Sequence, residues 1–185
     1  FSFHPVKIIT TGEGGMAVTN DSQLASKMRM LRSHGITRDP DFLEKNNAEP
    51  WHYEQQMLGW NYRMTDIAAV LGLSQLKRLS NYVSIRNKLA TRYFELISDL
   101  PLQLPTVIPQ CLSSYHLFVI ILEANQRHNV FMQMRELGIG VNVHYLPVHL
   151  QPFFQKKGFG KGMFPIAERY GECAITLPLH ANLTY

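Results

Sequence analysis

A chain of 185 residues with 45% hydrophobic side chains has room for one large domain or two small ones around an apolar core, which excludes a disordered tail. No apolar run approaches the roughly 18 residues of a membrane span and no signal-peptide pattern opens the sequence. A formal charge of +4, spread along the chain without basic blocks, suits an anionic small molecule better than a nucleic-acid footprint.

Residues 1–20, FSFHPVKIITTGEGGMAVTN, predict a strand over 2–9, a tight turn rich in Gly and Thr, and a returning strand over 16–19. Lys7 then lies within a strand or at its end. A lone lysine in such a place is ordinarily a solvated charge. The neighbours give it more weight: Ser2 offers a hydroxyl, His4-Pro5 stiffens the approach, and Gly12, Gly14 and Gly15 allow close backbone packing around Glu13.

Asp21-Ser22 caps a helix whose apolar residues Leu24, Met28 and Leu31 recur at helical spacing, and Gly35 ends it. Residues 37–50, polar and charged with Pro40, Pro50 and Asn46-Asn47, predict a surface loop. Thr65 caps a helix over 67–79, rich in Ala and Leu with Gly72 inside, which reads as buried on several sides. Asn61, just before it, is by residue type alone a turn residue.

A long connecting helix over 80–100 follows, carrying Tyr82, Ile85, Leu89, Tyr93, Leu96 and Ile97 at helical spacing. Pro101, Pro105 and Pro109 then break the chain and mark the boundary between domains 1–100 and 101–185. The second domain reads as strand 115–123, helix 126–137 stopped by Gly138, strand 140–149, helix 165–173 and strand 174–179, a small α+β layer. On strand 140–149, His144 and Tyr145 would point to opposite faces, so at most one of them faces the core. The eight histidines form no HxxxH or HxH cluster, which argues against a metal site. Cys111 and Cys173, far apart and without a CxxC partner, argue against a metal knuckle or redox pair; they read as core residues and fit a reducing cytoplasm.

Four segments together resemble one family. S-F-H-P-V-K followed by T-T-G-E-G-G is similar to the lysine motif of the DegT/DnrJ/StrS sugar aminotransferases, and G-W-N-Y-R-M-T-D-I-A-A followed by G-L-S-Q-L to that family's second signature. V-H-Y-L-P and the later L-P-L-H-A-N-L resemble the branch of nucleotide-sugar transaminases on the route to pseudaminic acid. The resemblance runs over nearly the whole chain. It implies an α/β fold-type I aminotransferase, here the end of the large domain that binds pyridoxal phosphate followed by a small α+β carboxy-terminal domain. In the family a large part of the major domain precedes the position of Phe1, and a terminal helix follows that of Tyr185.

The same resemblance implies roles. The lysine matching Lys7 forms the internal Schiff base with pyridoxal 5'-phosphate, which needs a primary amine that can be neutral during attack and can then carry a proton between substrate and cofactor. The serine matching Ser2 hydrogen-bonds the cofactor phosphate, and the asparagine matching Asn61 reaches the phosphate held by the neighbouring subunit, so that a homodimer shares its sites. His144 and Tyr145 match a segment lying by the nucleotide sugar. The implied reaction moves an amino group from glutamate to C4 of a UDP-4-keto-6-deoxy-hexose, with no nucleic-acid or membrane partner. Two alternatives are a pyridoxal-dependent sugar dehydratase of the same fold, which resembles the family except for a histidine where this chain has Lys7, and a non-catalytic dimerisation or substrate-lid piece of such an enzyme.

Overall fold

The computed structural model describes residues 1–45 and 49–184, so the expected Asn46-Asn47 loop tip lies outside the described residues. The chain divides into two compact units, Phe1–Arg78 and Leu79–Tyr185. The division falls ahead of the long helix rather than at the prolines expected to mark it. That helix packs with the second unit because its apolar residues meet the strands that follow it, a non-local contact that a proline count does not see.

In the first unit, α1 (Ser22–Arg32) begins where the Asp21 carboxylate accepts from the N–H groups of Gln23 and Leu24. It ends where the N–H of Gly35, at φ 72°, donates to the Met30 carbonyl. The chain then forms β1 (Ile36–Thr37), a 3-10 turn over Pro40–Phe42, and β2 (Glu54–Gln55), which pairs antiparallel with β1. Helix α2 (Asp66–Leu76) is capped by the Thr65 hydroxyl, which accepts from the Ala68 N–H.

Two expectations are corrected in this unit. Residues 2–9 form no strand beyond one antiparallel bridge, Ser2 with Gly15. Lys7 lies instead in a turn closed by its own N–H on the His4 carbonyl, 2.9 Å. Pro5 has no N–H to give a ladder, and Thr10 and Thr11 both turn back to bond the Phe3 carbonyl, so the chain curls where the pattern predicted extension. The second correction concerns α2: Ile67 is 86% exposed and Val70 and Leu73 are more than half exposed. Among the described residues of this unit no hydrophobic side chain is buried; its buried side chains are Thr11 and Thr37. Apolarity says that a helix seeks cover, not where the cover comes from.

The second unit holds the core. Helix α3 (Leu79–Ile97) lays Leu89 and Ala90 against β3 (Phe118–Ile121) and β4 (Ala174–Leu177), which pair antiparallel with Phe118 opposite Leu177. Phe118, fully buried, touches the rings of Tyr93 and Phe94 at centroid distances of 4.8 and 5.4 Å, and Tyr93 donates its hydroxyl to the Pro178 carbonyl at 2.7 Å. Burying such a phenyl ring contributes about 2–3 kcal/mol by area alone. Buried Arg86 of α3 donates from Nη1 to the carbonyls of Tyr115 (3.0 Å), His116 (3.4 Å) and Leu179 (2.8 Å), so one side chain ties both flanking segments to the helix. Helix α4 (Ala124–Glu136) adds Val130, Phe131 and Met134 to the core and stops before Gly138 at φ 78°.

After α4, residues 140–149 were expected as a strand. The structure shows a single bridge, Asn142 with Thr176, and then an irregular segment leading into a 3-10 turn, Val148–Leu150. Pro147 ends any ladder there. The short α5 (Pro152–Gln155) and then α6 (Pro165–Cys173) follow, the latter with the expected bounds and proline in its first turn. Cys173 is buried as expected, whereas Cys111 is exposed, because the segment after the third proline runs over the surface.

Candidate active site

The residues singled out from the sequence divide between the units: Ser2, Lys7 and Asn61 in the first, His144 and Tyr145 in the second.

Lys7 is half-buried in a loop that starts and ends on one carbonyl. The Phe3 carbonyl accepts from the Thr11 N–H (3.0 Å) and the Thr10 hydroxyl (2.8 Å), and the Phe3 N–H donates to the Gly14 carbonyl (2.9 Å). Ser2 sits on the bridge that closes this loop, exposed, its Oγ 3.5 Å from the His4 N–H. Lys7 and Ser2 are thus fixed on one turn five positions apart.

That turn is tied to α2. The Thr10 N–H donates to Gln75 Oε1 at 3.1 Å, and buried Thr11 lies so close to the helix that a Cβ on Gly72 would come 2.7 Å from Thr11 Cγ2. Gly72, an unfavourable residue in a helix interior, is explained by this approach. Asn61 stands just before the same helix, exposed, on a small ladder in which the Tyr62 N–H donates to the Arg32 carbonyl and Ser33 bridges Asn61. The ladder uses backbone groups, so the Asn61 amide is not spent on it.

A primary amine and a hydroxyl on one packed turn fit part of the donor set that a phosphate-bearing aldehyde needs: an amine to bond the carbonyl carbon, and an uncharged donor for the phosphate. Lys7 would hold the aldehyde end and Ser2 the phosphate, and the Asn61 amide would be a phosphate donor for a neighbouring subunit's site. When bound, pyridoxal phosphate supplies an electron sink for the carbon that exchanges its amino group. The chain's own contribution would be to hold the amine at Lys7 Nζ on a turn whose position is set by Phe3, Thr11 and α2.

In the second unit, His144 is half-buried, with Nδ1 2.8 Å from Thr176 Oγ1 on β4, and its ring meets Tyr145 edge-on at 4.6 Å. Tyr145 is 67% exposed. The segment is not a strand, so the strand alternation expected to set these two side chains on opposite faces does not operate here. Tyr145 and its successors through Val148 line an open cleft of about 710 Å³ with residues 163–167 and Tyr170 of α6.

Sequence reasoning missed what supports this cleft. His149 and Glu168 are both buried, with His149 Nε2 2.8 Å from Glu168 Oε1. Glu168 also accepts from the Gly162 N–H at 2.9 and 2.8 Å and from the Phe164 N–H at 3.2 Å. These bonds, the Gly162 amide first and the His149 ring next, hold the Glu168 carboxyl below the ordinary carboxylate range. A carboxylate only accepts, so Nε2 of His149 carries the proton of that bond. Proline at the start of α6 followed by a glutamate one turn on was the available signal. Among the described residues no group of three or more His, Cys, Asp or Glu is placed to hold a metal, and no helix is long and apolar enough to cross a membrane.

The comparisons with known proteins agree on the family. Residues 1–185 match the DegT/DnrJ/EryC1/StrS aminotransferase family. The chain is 34% identical over 187 residues to a Campylobacter jejuni UDP-4-amino-4,6-dideoxy-N-acetyl-beta-L-altrosamine transaminase, covering 99% of this chain and 47% of that protein. It is 35% identical to the Bacillus subtilis spore coat polysaccharide biosynthesis protein SpsC, covering 100% of this chain and 49% of the relative. Among solved structures, Helicobacter pylori PseC, an aminotransferase involved in the biosynthesis of pseudaminic acid, superposes with a TM-score of 0.85 at 33% identity, over 100% of this chain and 48% of PseC. Streptococcus pneumoniae Spr1654, solved in PLP and PMP forms, superposes with TM-scores of 0.83 and 0.85 at 29% identity, over 100% of this chain and 47% and 46% of the two Spr1654 chains. The chain spans about half the length of the curated relatives it matches. Its sequence motifs, its fold and these similarities agree: the chain belongs to the DegT/DnrJ/EryC1/StrS family of pyridoxal-phosphate-dependent aminotransferases.

Proposed function

We propose that the protein carrying this chain transfers an amino group from glutamate to C4 of a UDP-4-keto-6-deoxy-hexose, as a step in nucleotide-sugar biosynthesis of the pseudaminic acid kind. The observation that carries the reading is the closed turn that carries Lys7 five positions after Ser2 and is locked to α2 through Thr10 and Thr11. The similarity to the C. jejuni transaminase and to PseC supports the substrate class. In this reading Lys7 binds the cofactor and moves the proton. Ser2 and Asn61 hold its phosphate, with Asn61 serving the partner subunit of a cytoplasmic homodimer. His144 and Tyr145 face the sugar, His144 steadied by Thr176.

The test is to incubate the intact protein with pyridoxal phosphate, glutamate and a panel of UDP-4-keto sugars and to follow 2-oxoglutarate and the amino sugar together. Equal formation of both with one 4-keto sugar is the expected result. Turnover of none of the panel would overturn the substrate class, and release of an unaminated deoxy sugar would favour the dehydratase.

A further inference from the structure

Helix α6 grips the segment of residues 145–149 at two points one turn apart. The first is the buried pair of Glu168 with His149, 2.8 Å. The second is Gly171, where a Cβ would come 2.6 Å from Pro147 Cδ and 3.2 Å from the Tyr145 carbonyl oxygen, so only glycine lets the helix lie this close. The carboxylate also gathers the Gly162 and Phe164 amides, which seats the far wall of the cleft on the same side chain. Three N–H donors thus converge on one buried carboxylate, the Gly162 amide reaching both of its oxygens. The turn on which His149 stands is already closed by the Leu150 N–H on the Pro147 carbonyl.

We infer that Glu168, with His149 and Gly171, positions the His144–Tyr145 segment and the facing Gly162–Phe164 loop for the acceptor sugar nucleotide, and so sets acceptor affinity without touching the reacting atoms. The inference rests on the proposed reading that this segment faces the acceptor. The amino donor has no part in it. A positioning role fits the geometry because the two walls share one anchor: loosening Glu168 shifts both, and a displacement of about 1 Å in such a wall can cost up to roughly a hundredfold.

Two variants of the intact protein test it. In E168Q an amide N–H replaces one acceptor oxygen and points a donor at the Gly162 N–H. G171A pushes a methyl against Pro147 without altering the carboxylate. UDP affinity is read by calorimetry, KM for the acceptor and for glutamate by steady-state rates, and folding by the thermal midpoint. The expected result is an acceptor KM raised about ten- to a hundredfold in both variants, weaker UDP binding, and an unchanged KM for glutamate. Equal loss toward donor and acceptor, or no change toward either, overturns the positioning role. Should E168Q fail to fold, G171A decides by the same split. If the unsubstituted protein aminates no UDP-4-keto sugar, the functional reading falls and this inference with it; if it does, a negative result in the variants counts against the positioning role alone.

Discussion

Thr10 and Gln75, 65 positions apart in sequence, are joined by a hydrogen bond of 3.1 Å from the Thr10 N–H to the Gln75 side-chain oxygen. Through it the turn that carries Lys7 is fixed to the helix that follows Asn61. Replacing Gln75 with Ala should free that amide, costing about 0.5–1.5 kcal/mol, and should speed hydrogen exchange at Thr10 while leaving the amides of β3 unchanged. Unaltered exchange at Thr10 would show that the turn stands without the helix.

Lys7→Ala should leave circular dichroism unchanged and abolish fixation of pyridoxal phosphate to the chain by borohydride, as read by mass spectrometry. Lys7→Arg should fail equally, since a guanidinium does not give up its proton to become a nucleophile. Label found on another lysine of the Lys7→Ala protein would sink the assignment.

Asn61→Ala should weaken cofactor binding roughly ten- to a hundredfold, the loss of one hydrogen bond to a charged phosphate. If Asn61 serves the partner's Lys7, mixing inactive Lys7→Ala and Asn61→Ala subunits gives heterodimers with one doubly damaged site and one intact site. Activity should partly return. Confirmed subunit exchange without recovery would place Asn61 in its own chain's site.

Phe118→Ala removes the ring around which Tyr93, Phe94 and Tyr115 pack, and should destabilise the protein by about 3–5 kcal/mol in urea unfolding. A loss under about 1 kcal/mol would mean that the cluster collapses onto the space.

Glu54 titrates at about 2 rather than 4.5, held down first by the Glu44 N–H, then by the His52 ring at 3.0 Å and the Lys45 N–H. A carboxylate with a depressed folded value stabilises the fold above its unfolded value and loses that contribution as pH falls through the folded one. The stability Glu54 lends is therefore complete above pH 4.5 and fades toward pH 2. Carboxyl-resolved NMR titration should place Glu54 well below the other glutamates, and E54Q should flatten stability across that window. A midpoint for Glu54 near 4.5 would refute the arrangement.

What could be read in advance was what the chain decides locally. Asp21 and Thr65 cap their helices by bonds to residues two or three positions on, and Pro165 opens α6 by its own ring geometry. The motif around Lys7 was legible as a motif, but its turn was not, because Phe3 collects its partners from Thr10 and Thr11 and no alternation of side chains encodes that. The strand expected over 140–149 failed for a similar reason: only Asn142 finds a partner, Thr176, before the backbone leaves the sheet for Pro147. The His149–Glu168 pair stayed hidden because two polar residues 19 apart carry no spacing signal, and only the fold brings them together.

Arg86 gives the second unit an unequal resistance to acid. Its three partners are carbonyl oxygens, and although burial lowers its pKa, a guanidinium keeps its charge throughout the range in which a protein folds. The joint between α3 and the chain on either side of the sheet therefore cannot be undone by protonation. Glu168, by contrast, loses its hold on the Gly162 loop once it is neutralised. On acidification the unit should come apart from the cleft inward, with the helix and its strands the last to let go.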